Sequence, residues 1–158
     1  MKSLIVYYSY SGTTKKVAAL LAGYLREKDE VELLELIPQD VSKNFFVQGW
    51  RAIKRVRAEL APVNFDVKGY DRICLGTPVW AFAPTPAMNT FLDKCTGLEG
   101  KEVVIFCTTG GTGIDKCLNY MQEILAAKGA LSFKRFACAQ NRVKDKEFVL
   151  GKFREVDL

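Results

Sequence analysis

The chain of 158 residues contains no histidine. That absence removes His-based nucleophile triads and most zinc sites, in which an imidazole is the base or the ligand. The five cysteines (Cys74, Cys95, Cys107, Cys117, Cys138) are scattered, with no Cys-x-x-Cys pair. A disulfide framework is therefore not expected, and reduced thiols in a cytoplasmic protein are. Three of them, Cys74, Cys107 and Cys138, fall within or at the end of apolar strand patterns, where a free thiol behaves as a small hydrophobe. No apolar run reaches the ~18 residues of a membrane span, and the chain opens directly on a strand pattern with no signal-peptide features. No membrane association is expected. Acids and bases are close to balance, 18 against 23, and the net charge of +5 is too small to argue for nucleic acid. Proline is scarce at five residues, yet three of the five lie between positions 78 and 86.

About half of the residues are apolar and a quarter charged, the balance of a globular chain, and the length is that of one domain over residues 1–158. Strand and helix patterns alternate along it, the mark of a parallel α/β sheet. Residues 4–8 are an apolar, aromatic and β-branched strand, and a helix over about 13–28 follows from the spacing of Val17, Leu20, Leu21 and Tyr24. Further strands are expected at 31–37, 72–76, 101–107 and 131–139. Glu32 and Glu35 give the first of these an exposed margin. A helix is expected at 114–128, stopped by Gly129, and a short one at 145–156. Right-handed crossovers then make a doubly wound sheet.

Between the first strand and helix sit Ser9, Tyr10, Ser11, Gly12, Thr13 and Thr14. A helix start offers unpaired N–H groups and the positive end of a dipole, the hydroxyls add uncharged donors, and glycine permits close approach of an anion. Such a turn holds a phosphate or merely caps a helix; the residues alone leave both open. Other nucleotide loops fail. There is no Gly-x-x-x-x-Gly-Lys-Ser/Thr, Ser-Gly-Thr-Thr lacks the glycines of a dinucleotide fingerprint, and residues 8–14 hold no phosphoacceptor carboxylate.

The spacing Ile5-Val6-Tyr7-x-Ser9-x-x-Gly12-x-Thr14-x-x-x-Ala18-x-x-Leu21 resembles the phosphate-loop signature of the flavodoxin family. The resemblance implies a flavodoxin-like three-layer sandwich: a five-stranded parallel sheet of order 2-1-3-4-5 with helices on both faces. It also implies that Ser9 to Thr14 hold the 5′-phosphate of flavin mononucleotide (FMN). In that topology the loops after the first, third and fourth strands open on one edge. The second of these, with Thr77, Pro78, Val79, Trp80, Ala81 and Phe82, is stiffened by proline and carries two aromatic rings that either wall a planar flavin or fold back to cap the hydrophobic core. Thr-Pro-Val-Trp followed by Met-Asn-Thr-Phe-Leu-Asp resembles the flavin-flanking loop and helix of the family, and implies that Trp80 lies against the ring. Spacing does not say which of Trp80 and Phe82 is closer. The third loop, Thr108, Thr109, Gly110, Gly111, Thr112 and Gly113, would by the same resemblance aim N–H groups at the pyrimidine end of the flavin.

Two features depart from an acidic electron carrier. Residues 77–90 contain no acid, so the flavin is expected to be easier to reduce fully than in a carrier ringed by carboxylates. The connection 38–69 carries an expected amphipathic helix over 44–60, with Gly49, Ile53, Val56 and Leu60 on one side. Lys43, Arg51, Lys54, Arg55 and Arg57 line that stretch with no acid between them, after an aromatic Phe45-Phe46-Val47-Gln48-Gly49-Trp50 start. This is a solvated basic face, a dock for an acidic redox partner or for NAD(P)H phosphates, or a homodimer contact. Electron transfer through bound FMN is the expected function, with an NAD(P)H-dependent, quinone-reductase-like FMN oxidoreductase as the alternative. No side chain is assigned a catalytic or metal-binding role.

Overall fold

The computed structural model describes residues 1–39, 46, 47, 50, 51, 54 and 56–158. Five parallel strands, β1 (Lys2–Tyr7), β2 (Glu30–Glu35), β3 (Arg72–Pro78), β4 (Glu102–Thr109) and β5 (Ser132–Ala139), form one sheet in the order β2-β1-β3-β4-β5. Register places Ile5 between Leu33 and Cys74, and Cys74 beside Val104. β3 and β4 lie inside the sheet with helices on both faces, so nearly every side chain along them is buried, as the apolar runs require. β2 pairs only with β1, and its exposed Glu32 and partly exposed Glu35 mark the open margin read from their alternation.

Four helices among the described residues cover the sheet: α1 (Thr13–Leu25), α2 (Pro86–Lys94), α3 (Ile114–Ala127) and α4 (Lys146–Glu155). α1 buries Thr14, Val17, Ala18, Leu21, Ala22 and Leu25, one stripe at helical spacing. With Val149 and Phe153 of α4 it packs on Ile5, Cys74, Val104 and Phe106. The opposite layer sets Met88, Phe91 and Leu92 of α2 and Cys117, Leu118, Met121 and Leu125 of α3 against Val6, Leu75 and Ile105. Each fully buried Ile, Leu or Phe in these layers contributes roughly 1.5–3 kcal/mol. Phe106 lies flat on Phe136, 5.2 Å between ring centres, and its ring fills the space beside Gly76, where a Cβ would sit 2.1 Å from it. No helix among the described residues is long and apolar enough to cross a membrane.

Several boundaries move. β1 begins at Lys2 and ends at Tyr7, one residue before the expected end, with Tyr8 N–H making a last bond of the β3 ladder to Gly76 O at 3.0 Å. α1 stops at Leu25, three residues early, where Lys28 and Asp29 N–H close a turn on Leu25 O. β3 runs on to Pro78, since Val79 N–H reaches Thr108 O and continues the ladder with β4. α2, which periodicity did not single out, starts on Thr85, whose hydroxyl caps Met88 N–H, with Pro86 in the first turn. The helix expected over 44–60 falls partly outside the described residues. Phe46, Val47, Trp50 and Arg51 are helical, but 56–59 are not, and Leu60 bridges antiparallel to Pro38. Tertiary pairing thus claims the end of that amphipathic stretch.

Candidate functional site

Parallel strands put the segments after β1, β3, β4 and β5 on one edge of the sheet. There a cavity of about 160 Å³ is lined by Tyr10, Ser11, Thr13, Thr14, Pro78, Trp80, Thr108 and Gln140. A larger hollow between α1 and α4 lies away from this edge and carries none of the sequence-predicted residues.

The first wall is the start of α1. Its N-cap is Gly12 at φ 86°, in the left-handed region, with no side-chain cap. Gly12 adds no side chain at the helix start, and Thr13 and Thr14, the first two residues of α1 at the positive end of its dipole, line the cavity. Ser9 is not part of the lining: its Oγ accepts the Lys15 N–H at 3.1 Å and braces the turn from behind. Ser11 and Thr13 hydroxyls pair at 3.0 Å on the rim. Beneath them the buried Thr14 and Thr108 hydroxyls meet at 2.8 Å, tying α1 to the end of β4. Lys15 is drawn aside to Glu35 at 2.7 Å, so the cavity wall itself is uncharged.

The second wall is the loop after β3. Thr77 and Thr85 clasp it shut, Oγ1 to Oγ1 at 3.2 Å, with Thr85 N–H also donating to Thr77 Oγ1. Inside the clasp Trp80 and Ala83 exchange both backbone hydrogen bonds, 2.9 and 3.0 Å. The two residues between them, Ala81 and Phe82, both have positive φ, 47° and 68°. That is the two-residue turn that ordinarily selects Asn-Gly, and each non-glycine residue held there costs about 1–2 kcal/mol. The turn separates the two rings. Trp80 points inward, 9% exposed, edge-on to Tyr8 at 5.9 Å and Tyr10 at 5.6 Å. Phe82 points outward, 52% exposed, beneath Lys116 Nζ and outside the cavity lining. Burial, reinforced by Tyr10, pushes the Tyr8 phenol up to about 12.

The third wall follows β4. Thr109 Oγ1 accepts the Gly111 N–H at 3.0 Å, and also donates to Thr112 O, folding the glycines back on themselves. A Cβ on Gly111 would meet nothing within 4 Å, and one on Gly110 would touch Gln140 Oε1 at 3.9 Å. Gly113, again at φ 86°, starts α3 without a side-chain cap and receives Phe82, where a Cβ would meet Phe82 Cδ1 at 2.6 Å. The second and third loops therefore interlock.

Of the eighteen sequence-predicted residues, Tyr10, Ser11, Thr13, Thr14, Pro78, Trp80 and Thr108 are brought to the cavity. Gly12, Thr77, Val79, Ala81, Phe82 and Gly113 shape the backbone around it. Thr109, Gly110, Gly111 and Thr112 form the adjoining turn. Gln140, in the first turn after β5, was not foreseen. Its position was open to inference, since β5 ends on the same edge as the other strands.

The donor chemistry fits a phosphate monoester carrying an aromatic ring. Uncharged hydroxyls at the start of α1 line the cavity, the Gln140 amide joins them from the turn after β5, and an indole already braced by two tyrosines forms one side. Solved structures share the architecture. A flavoprotein from Bacteroides eggerthii DSM 20697 superposes with a TM-score of 0.76 at 22% identity, over 99% of this chain and 98% of that one. A flavoprotein from Lactobacillus acidophilus NCFM, solved in complex with FMN, gives 0.71 at 26% identity over 92% and 98%. An azoreductase from Bacillus anthracis str. Sterne gives 0.61 at 15% identity over 99% and 97%. No curated protein sequence matches the chain. The flavodoxin family model, in contrast, aligns with residues 2–130, the stretch from β1 through α3 that builds all three walls, and the chain belongs to the flavodoxin family.

Proposed function

We propose that this flavodoxin is an electron carrier working through bound FMN. Its phosphate would sit on Ser11, Thr13, Thr14 and the positive start of α1, and its ring between the loops after β3 and β4. FMN supplies the redox chemistry when bound, taking up and releasing electrons one or two at a time. The observation that carries the reading is the make-up of the cavity. It is lined by hydroxyls, one amide, proline and indole, and its one titratable side chain is the Tyr10 phenol. Groups of this kind bind and orient a cofactor and leave the redox chemistry to it, which is all that an electron carrier asks of its protein.

The residues then bind, orient and exclude water. The helix start and hydroxyls hold the phosphate without a cation, so binding follows the geometry of the turn rather than salt. The Thr77–Thr85 clasp and the Trp80–Ala83 turn hold the indole against Tyr8 and Tyr10. A ring placed there meets a preorganised wall instead of ordering a loose loop. Tyr8, its proton held to about 12, remains a neutral support behind the indole at physiological pH. Five buried free thiols fit a reducing compartment, which supports a cytoplasmic site of action.

The second reading, an NAD(P)H-dependent FMN oxidoreductase, draws on Lys116 beside Phe82 and on the basic residues of 51–57 as contacts for a dinucleotide's phosphates. Anaerobic stopped-flow mixing of FMN-loaded protein with NADH and with NADPH separates the two. The carrier reading expects no bleaching on the seconds timescale and two resolved one-electron steps in a dithionite titration. Rapid bleaching by either nucleotide would replace it with the reductase. Protein that retains no FMN would overturn both.

A further inference from the structure

The start of α1 breaks a local rule. The positive end of a helix dipole favours acids in the first turn, and the third helical position is where a capping box places Glu or Gln. α1 has no acid in its first turn, and its third and fourth residues are Lys15 and Lys16. Two cations there oppose the dipole, and an anion held at the same end turns both to advantage. A departure of this kind is expected at a functional site.

One of the two lysines is nonetheless tied up. Lys15 Nζ donates to Glu35 Oε2 at 2.7 Å. Glu35 closes β2, on the edge where the site opens, and stands in register with Tyr7 at the end of β1. Register partners in neighbouring strands project to the same face of a sheet, and the Tyr7 phenol donates to the same Glu35 Oε2 at 3.1 Å. Tyr7 is buried in the core beneath α1, which fixes the carboxylate where Lys15 meets it. The backbone of Lys15 is braced in turn, its N–H donating to Ser9 Oγ. β1, β2 and α1 thus each contribute one anchored part of the arrangement.

Stability does not account for it. The Lys15 and Glu35 side chains are 58% and 29% exposed, and a pair so open to water adds little to folding. What the pair does change is the charge of the turn. An unpaired Lys15 would set a full positive charge beside the helix start, whereas the two together are neutral. A positive turn attracts every anion in proportion to its charge, so it favours di- and polyphosphates over a monoester. A neutral turn has no such bias, and leaves selection to the hydroxyls and the aromatic wall.

Resting on the reading that this cavity takes FMN, we propose that Glu35, held by Tyr7, is a positioning residue that sets the specificity of the phosphate turn. It keeps Lys15 off the phosphate and cancels its charge, so that the turn selects a ring-bearing phosphate monoester over more highly charged phosphates.

The test is a charge cycle read by flavin fluorescence at low and high salt. FMN is titrated, riboflavin serves as the ligand without a phosphate, and inorganic phosphate and pyrophosphate serve as competitors. Glu35→Gln leaves Lys15 uncompensated. FMN is then expected to bind about fivefold tighter at low salt, the effect of one charge on a dianion at roughly 10 Å in water, and pyrophosphate to gain more than phosphate. Lys15→Met leaves Glu35 uncompensated and is expected to weaken FMN by a similar factor. The double variant restores neutrality and should return FMN to its original affinity. High salt should bring all four proteins together, and riboflavin should bind alike in all of them. A Lys15→Met loss that persists in the Glu35→Gln background would overturn the proposal, because Lys15 would then hold the phosphate itself. Four equal FMN affinities at low salt, equal gains for phosphate and pyrophosphate, or riboflavin losses as large as those for FMN would overturn it too. Failure of the FMN reading looks different: the unaltered protein then binds neither flavin at any salt.

Discussion

Gly12 and Gly113 make a matched pair for measuring how firmly the loops after β3 and β4 interlock. Both are helix N-caps at φ 86°, and both lack a side-chain cap. They differ in surroundings. A Cβ on Gly12 meets nothing within 4 Å, whereas one on Gly113 meets Phe82 Cδ1 at 2.6 Å, Cα at 2.9 Å and Cβ at 3.3 Å. Alanine at either position carries the left-handed cost of about 1–2 kcal/mol, offset by about 0.4–1 kcal/mol from a stiffer unfolded chain. Gly12→Ala should therefore destabilise by about 1 kcal/mol. Gly113→Ala adds an overpacking cost of about 1–3 kcal/mol, because the Phe82 Cα belongs to a turn already held at positive φ and cannot retreat freely. Urea unfolding of FMN-free protein, followed by far-UV circular dichroism, reads the difference. With a slope near 2 kcal/mol/M, the two midpoints should separate by about 0.5–1.5 M at unchanged slope. In a Phe82→Ala background the ring contact is removed and the backbone contact stays, so Gly113→Ala should recover part of its cost. Equal midpoints for the two alanine variants would refute the interlock.

The Thr14–Thr108 hydroxyl pair should behave as a unit. Thr14→Val leaves a buried hydroxyl unpaired and is expected to cost about 1–2 kcal/mol, while the double valine variant costs less than the two single changes added together; strict additivity in the urea cycle would count against the bond. Alkaline stability should be limited by the core. Burial pushes the thiols up from an ordinary 9.0 to about 11 for Cys95 and Cys138, about 12 for Cys74 and Cys117, and further for Cys107. Above pH ~9 the unfolded chain releases protons that the native chain keeps, so stability is full below that pH and falls as pH rises towards 12. A urea midpoint that stays level from pH 8 to about 10.5 would contradict this, as would native thiols that react readily with a disulfide reagent. Gln140→Leu is expected to weaken FMN binding about tenfold, the worth of a hydrogen bond to a charged group, and riboflavin binding less than twofold. Equal losses for both ligands in fluorescence titrations would place the amide away from the phosphate. Thr112→Glu puts an acid into a loop that has none; at about 10 Å and an effective dielectric of ~20 it should lower the second one-electron step by about 50–80 mV, and a potential that does not move in a potentiometric titration would remove that loop from the ring's neighbourhood.

Much of this site was legible before the fold was known, because the signals are local. Hydroxyls and a glycine between an apolar strand and a periodic helix announce a helix start with donors to spare, and Ser11, Thr13 and Thr14 line the cavity as that pattern implies. Three prolines announce a stiff loop after β3. The same reasoning does not say that Ser9 Oγ accepts the Lys15 N–H and lies outside the cavity lining, because turn chemistry supplies hydroxyls without saying how the fold arranges each one. It overextended the 44–60 helix, because periodicity does not register the antiparallel pairing of Pro38 with Leu60 that ends it.

The sequence by itself determined the alternation of strand and helix, the placing of three of the five thiols in apolar strands, the exposed margin of β2 and the hydroxyl loop at the start of α1. All of these follow from side-chain periodicity and turn preference, which act over a few residues. Only the tertiary structure decided that Trp80 rather than Phe82 faces the cavity, because the choice rests on Tyr8 and Tyr10, some seventy residues earlier, and on a turn that reverses the two rings. It alone brought Gln140 from the end of β5, paired Thr14 with Thr108 across 94 positions, and set Gly113 against Phe82. Contacts between distant segments depend on how strands register in the sheet, and no local pattern encodes that.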